Sequence, residues 1–434
     1  VARRLAVAVA NAANVAPLAY RQDTPGGPLA RLASIGTVGA RDVRYTADGA
    51  YLAISTTSNF AVHRRDGDTH PMLTRTTNIS AAGQGTAWHA DGQRLVFTYS
   101  SANRLYPFLR TGDAYSYVGA VTNVTGNAQP RAVEWGGDLL AFGVSAAPWI
   151  QTYRADAAGM LTKLPNPSVT PSAVVASVAW APPDCSILAL ASNTTPGTLV
   201  RYAVSGDTRT RLTPDISLPG TARAFSLSFS PDGTRLAVGT NAAPYLRYYA
   251  HDGAGGLTAL PDPVDQPAGF AYSVAFTPDN GDQLAVASFA APYLLLYSHD
   301  GDGLTLIPDA VAEPPTVEAV ALSWTPDDAP PTGGEEEPPV QDLGSAGLGG
   351  TGGLTGSVRG VADLGGVALG GSGGLAGRVR AVAPLSGSLG GSGGLEGRVR
   401  GGTTSELRGT TGSAYALSRT GSAFTVTRTG SAHL

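Results

Sequence analysis

The chain has 434 residues, 42% hydrophobic and 14% charged, with 57 Gly, 31 Pro and a formal charge of −4. A charged fraction well below the usual ~25% excludes a coiled coil, a Glu/Lys-rich helical array and a charge-driven disordered protein. The mild acidity does not suit a general electrostatic binder of nucleic acid. A lone cysteine, Cys185, excludes a disulfide framework and a cysteine zinc site, and no apolar run approaches the ~18 residues of a membrane-spanning helix, so no membrane partner is expected.

The first segment, Arg3-Arg4 followed by Leu5-Ala6-Val7-Ala8-Val9-Ala10, has the outline of a secretory or twin-arginine leader. The stretch from Leu5 through Tyr20 to Leu29 and Leu32, however, parallels Leu284-Ala285-Val286-Ala287 through Tyr297 to Leu304 and Ile307, with a short insertion. It is therefore read as strands of a repeat unit. From Tyr45 onward seven segments share one pattern: an aromatic residue, a turn with Asp, then an apolar strand. The aromatics are Tyr45, Trp88, Trp135, Trp180, Phe229, Phe276 and Trp324, spaced 43–49 residues apart. That period suits a four-stranded propeller blade.

Phe229-Ser230-Pro231-Asp232-Gly233 is the cleanest copy. Pro presets φ, Asp bonds locally, and Gly takes the positive φ that a tight hairpin needs. Phe225, Leu227 and Phe229 before the turn, and Leu236 and Val238 after it, alternate as half-buried strands do. A second signature, Ala-Pro-aromatic, follows at Trp149, Tyr245 and Tyr293, and acidic turns such as His251-Asp252-Gly253 and His299-Asp300-Gly301 come after it. The seventh unit stops after Trp324, so its missing strands must come from the N-terminus. A ring closed in this way has no long free sheet edge.

These motifs resemble the WD40-like and TolB-like seven-bladed β-propeller superfamily, chiefly through Phe-Ser-Pro-Asp-Gly at 229–233. The resemblance implies an all-β propeller over residues 1–332. No blade ends in the Trp-Asp dipeptide of strict WD40 repeats.

An acidic Pro/Gly linker, 333–341, leads to a Gly-rich β-repeat region, 342–434, expected to be ordered and to serve anchoring and assembly. Leu348 to Arg359 recurs almost unchanged from Leu369 to Arg380 and from Leu389 to Arg400. Leu375, Gly377, Val379 and Ala381 alternate with Arg378 and Arg380, which is strand patterning with one small-residue face. So much Gly costs backbone entropy to order, and sparse Leu and Val make a poor private core. Packing against other chains is therefore expected, with Leu354, Leu375, Leu395, Arg359, Arg380 and Arg400 as assembly contacts. The region resembles Gly-rich repeats of tailed-bacteriophage virion structural proteins.

No catalytic, cofactor-binding or metal-binding residue is assigned, and no cofactor is expected. The nucleophile-elbow matches at Gly370-Gly371-Ser372-Gly373-Gly374 and Gly390-Gly391-Ser392-Gly393-Gly394 lack the strand–turn–helix that an elbow needs. Asp66-Gly67-Asp68 and Asp300-Gly301-Asp302 read as hairpin turns before calcium loops. Trp149, Tyr245 and Tyr293 read as packing before ligand surface.

The expected function is a non-enzymatic virion component of a tailed phage, assembled in the host cytoplasm. The propeller would be displayed as a decoration or adhesion module facing a host-surface receptor, and 342–434 would bind other virion proteins or copies of the chain. The alternative is a propeller enzyme of lactonase or hydrolase type on a cell surface. An acid/base pair converging on the propeller channel would favour that alternative.

Overall fold

In a computed structural model the described residues are 2–9, 16–24, 27–36, 39–73, 82–99, 104–119 and 129–326, with the backbone of strands between 348 and 431. Contacts divide the chain into two units, Val1–Pro331 and Thr332–Leu434. The expected linker 333–341 lies outside the described residues.

The first unit is a seven-bladed propeller. Blades 2 to 6 are four-stranded antiparallel meanders whose inner strands are Gly83–Trp88, Pro130–Gly136, Val175–Trp180, Ala224–Phe229 and Ala271–Phe276. Blade 1 has three strands, Ala40–Tyr45, Tyr51–Thr56 and Phe60–Arg64, and a bridge from His63 to Met72 continues it outward. Blade 7 takes its inner strand, Ala319–Trp324, from the end of the unit and its other three, Arg3–Val9, Leu18–Gln22 and Leu29–Arg31, from the beginning. The composite blade read from the sequence is thus present, with Leu5 opposite Trp324 and Val7 opposite Leu322.

Period-2 alternation explains why the core lies between blades. Leu227 and Phe229 of blade 5 are buried with Ala179, Ala189 and Ile187 of blade 4, while Val274 and Phe276 of blade 6 are buried with Ala237 and Tyr248 of blade 5. The turns behave as their residues dictate. Ser230 Oγ donates to Asp232 Oδ1 at 2.5 Å, and the same oxygen accepts the Thr234 N–H at 3.0 Å. Gly233 has φ +72°, and a Cβ there would lie 1.9 Å from the Pro182 carbonyl oxygen of the preceding blade. Only glycine fits both the conformation and the approach.

Arg3 and Arg4 clasp the ring shut. Neighbouring residues on a strand point to opposite faces, and these two reach in opposite directions around the ring. Arg3, 0% exposed, donates to Asp282 at 2.7 Å and to Asn280 at 3.1 Å in the first turn of blade 6. Arg4 donates to Asp68 of blade 1 at 2.9 Å, an aspartate that also pairs with Arg21. Asp68 is therefore an ion-pair partner in this turn.

Each inner strand leaves one edge without a partner strand, and the next blade satisfies it. The indoles of Trp88, Trp135, Trp180 and Trp324 donate to the carbonyls of Arg44, Ala87, Glu134 and Ala275, at 3.1–3.2 Å. Each acceptor is the residue just before the aromatic of the preceding inner strand. Backbone N–H groups of the same edges donate to side chains: Thr86 to Asp42 at 2.8 Å, Leu227 to Ser177 at 3.1 Å and Val274 to Ser226 at 3.1 Å. Unsatisfied edge groups would be costly.

In the second unit each Gly-rich repeat gives one strand to each of two parallel sheets. One sheet stacks Leu348–Gly350, Leu369–Gly371 and Leu389–Gly391, and the other stacks Leu354–Gly360, Leu375–Ala381 and Leu395–Arg400. An antiparallel set, Leu407–Arg408, Ser413–Thr420 and Ala423–Ser431, ends it.

Deleting residues 1–9 removes the strand that pairs with both Leu18–Gln22 and Ala319–Trp324, and is expected to give aggregation in light scattering. The milder Arg3→Ala should cost about 2 kcal/mol, read as a lower urea midpoint. A truncated chain that stays monomeric and melts like the intact one contradicts the closure.

Candidate functional site

The inner strands form the wall of the central channel, and their departures from the repeat define the site. Counting back from each blade aromatic, the residues one and three positions before it are small or hydroxylic in most blades: Ala87 and Gly85, Ala179 and Ser177, Ser228 and Ser226, Ala275 and Ser273, Ser323 and Ala321. Blade 1 instead carries Arg44 and Asp42, and blade 3 carries Glu134. Charge enters the channel wall at these positions on blades 1 and 3 alone.

The three groups form one electrostatic unit. Arg44 Nε lies 4.0 Å from Asp42 Oδ1, and Arg44 keeps 44% side-chain exposure although it stands on an innermost strand, so the channel is open to solvent there. Its Nη1 reaches the Leu322 carbonyl at 3.4 Å, towards blade 7. Asp42 is fixed by the Thr86 N–H; burial pushes its carboxyl above the usual aspartate range, with Arg44 opposing. Burial pushes the Glu134 carboxyl up to about 7, again opposed by Arg44. The intervening blade offers only Gly85 and Ala87 at the equivalent positions. The Glu134 backbone is held by the Trp180 indole, yet its carboxylate makes no hydrogen bond among the described residues. A carboxylic acid balanced between its two forms near neutral pH, with a guanidinium close by, is suited to general acid–base work. Burial first and the Glu134 charge second push the Cys185 thiol up, away from the reactive thiolate form.

Above these groups every inner strand is bulged, so that one residue escapes the ladder: Arg41, Gln84, Arg131, Ala176, Phe225, Tyr272 and Val320. Bulges of this kind re-aim side chains beside functional sites. Here they set seven residues at one height around the channel mouth.

Solved structures share this architecture. A candidate 6-phosphogluconolactonase from Bacteroides fragilis matches with a TM-score of 0.62 and 15% identity, over 75% of this chain and 98% of its own. One from Bacteroides uniformis gives a TM-score of 0.63 and 13% identity, over 75% and 99%. The periplasmic gluconolactonase of Pseudomonas aeruginosa gives 0.58 and 16%, also over 75% and 99%. The likeness establishes the fold. No protein-family model and no curated protein sequence matches the chain.

The same comparison corrects the expectation of a non-enzymatic chain. Proteins named for lactone hydrolysis are built on this propeller, so the regularity of the repeat gives no ground for excluding catalysis. The virion resemblance read from the Gly-rich repeats rests on composition alone and gains no support here.

Other residues singled out in the sequence fall elsewhere. His251 and His299 each donate from Nδ1 to the Gly233 and Gly281 carbonyls at 2.7 and 2.8 Å, pinning two turns of one blade together. Asp302 pairs with Arg235. Trp149 and Tyr293 pack against inter-blade cores. Among the described residues no cluster of His, Cys, Asp or Glu has the makings of a metal site. The two elbow matches run through residues outside the described ones. The expected assembly residues share registers within one chain, Leu354 with Leu375 and Leu395, and Arg359 with Arg380 and Arg400.

Glu134 should cost stability above neutrality. Its carboxyl ionises near 4.5 ordinarily and near 7 in the fold, so between those values the unfolded chain holds fewer protons and stability falls as pH rises. Glu134→Gln should therefore leave the melting temperature unchanged at pH 4 and raise it by about 2 °C or more at pH 8. An equal effect at both pH values would show that the carboxyl is not perturbed.

Proposed function

We propose that the propeller is a hydrolase of the lactonase type, acting in the channel at Glu134, Arg44 and Asp42. The observation that carries this reading is the charge placed on two inner strands where the rest of the ring has Ala, Gly or Ser. The names of the propellers it resembles agree with it. A half-buried acid whose carboxyl is pushed up to about 7 works against folding, and such groups cluster at sites where their chemistry is used.

Opening a lactone requires three acts. Glu134, ionised, removes a proton from a water molecule whose oxygen attacks the carbonyl carbon. The guanidinium of Arg44 stabilises the negative charge that gathers on the carbonyl oxygen. As the ring C–O bond breaks, the protonated Glu134 returns its proton to the departing alkoxide, and a hydroxy acid results. Asp42 is a positioning residue, its negative charge holding the guanidinium in the channel. No step needs a cofactor.

We place the attachment of the protein, to a cell surface or to copies of itself, in the Gly-rich repeats. The parallel ladders support this, since Leu354–Gly360 pairs on one side only among the described residues, and a half-paired strand is a template for another chain.

The expected result is hydrolysis of glucono-δ-lactone, followed by proton release, with kcat/KM falling below about pH 7 as Glu134 takes up its proton. Glu134→Gln should lower kcat at least ~10²-fold, and Arg44→Met by a similar factor, with melting temperatures at pH 7 no lower than the parent. Turnover unaffected by both substitutions would remove the assignment.

A further inference from the structure

The ring of bulge residues at the channel mouth is divided by chemistry. On blades 1 to 3 it is polar: Arg41, Gln84 and Arg131, with both arginines exposed and neither hydrogen-bonded nor ion-paired among the described residues. On blades 5 and 6 it is aromatic. Phe225 and Tyr272 meet with ring centroids 5.8 Å apart. Tyr272 continues to Phe270 at 6.3 Å and to Phe289 at 6.1 Å, and Phe270 meets Tyr245 at 6.3 Å. Phe289 is 42% exposed, and the other four are half-buried. The five rings form one contiguous, partly exposed aromatic patch, and patches of this kind mark binding sites.

Charge agrees with the division. Glu318 stands on the aromatic side, where its charge acts on Tyr272. An anion therefore finds its cationic partners, Arg41 and Arg131, on the polar side of the ring. Those arginines stand on the same inner strands as Asp42, Arg44 and Glu134, so a group bound by them lies over the charged part of the wall.

We propose that the mouth selects an amphipathic substrate, an anionic lactone or ester whose carboxylate or phosphate is held by Arg41 and Arg131 and whose planar apolar substituent lies on Phe225 and Tyr272. The proposal rests on the lactonase reading only for the bond that reacts. A guanidinium pair favours a fixed anion through charge-assisted hydrogen bonds. Aromatic faces add apolar burial on the other side. Neither half alone distinguishes the ligand, but together they favour a molecule that carries both groups over one that carries either.

Binding can be separated from turnover. Isothermal titration of the full chain, and of Glu134→Gln in parallel, with 4-phenylbutanoate, butanoate and 4-phenylbutan-1-ol should give the first a Kd at least about tenfold below the other two. The double variant Arg41→Gln/Arg131→Gln should lose the margin over the alcohol and keep the margin over butanoate. Tyr272→Ala should do the reverse. Phe289→Ser, at a position that is 42% exposed, should narrow the same margin should Tyr272→Ala not fold. Equal affinity for the three probes, no measurable binding of 4-phenylbutanoate, or a double arginine variant that keeps its preference for the anion would overturn the proposal. Absent hydrolysis with this binding pattern intact would instead count against the lactonase reading alone.

Discussion

Every blade of this propeller depends on its neighbour to complete the hydrogen bonding of its innermost edge. A sheet edge carries a row of donors and acceptors that water or another strand must satisfy, and seven such edges converge on the channel. The chain answers with side chains: an indole to a carbonyl at four interfaces, one of which adds an aspartate to an N–H, and a serine to an N–H at two others. This requirement accounts for the indole at the end of four inner strands and for Asp42, Ser177 and Ser226, each three positions before a blade aromatic. It also gives Asp42 a structural task in the channel wall, since its carboxylate performs the capping that Ser177 and Ser226 perform elsewhere.

Glu134 is a different case. It stands where Ser228 or Ala179 stand in other blades, makes no hydrogen bond with its carboxylate among the described residues, and is raised to about 7 by burial. A carboxylate that contributes nothing to edge capping and opposes folding at neutral pH is explained by chemistry rather than by architecture. Its neighbours carry the same message. Arg44 is on an inner strand yet 44% exposed, which is how a charge must sit if it is to act on something that diffuses in.

Much of the fold was legible in the sequence because local rules and the repeat point the same way. The aromatic–turn–strand unit recurs with turn residues whose φ preferences are known, and the truncated seventh unit pointed to strands at the other end of the chain. The site was not legible, for physical reasons. Asp42 and Arg44 share one strand but Glu134 stands two blades away, the three surround no motif, and strand alternation alone shows a charged residue as a solvated face. The signal was available only by aligning blade on blade and asking which charges fall on an innermost strand. The bulges were hidden altogether, since an extra residue is defined by the register of the partner strand. Thus Phe225 reads as an ordinary member of an alternating strand, with Leu227 and Phe229.

The composite blade bears on how the molecule is made. Blades 1 to 6 are each built from one continuous stretch and form from nearby contacts, whereas Arg4 and Thr325, hydrogen-bonded to each other, are 321 residues apart in the chain. During synthesis the first strand emerges from the ribosome long before its partner exists. Loop closure of that length is slow compared with hairpin formation, so an open arc of six blades precedes the ring. Throughout that interval the strand Leu5–Val9, with its unbroken apolar sequence, pairs with Leu18–Gln22 on one edge and leaves the other open, and that edge needs protection from other chains.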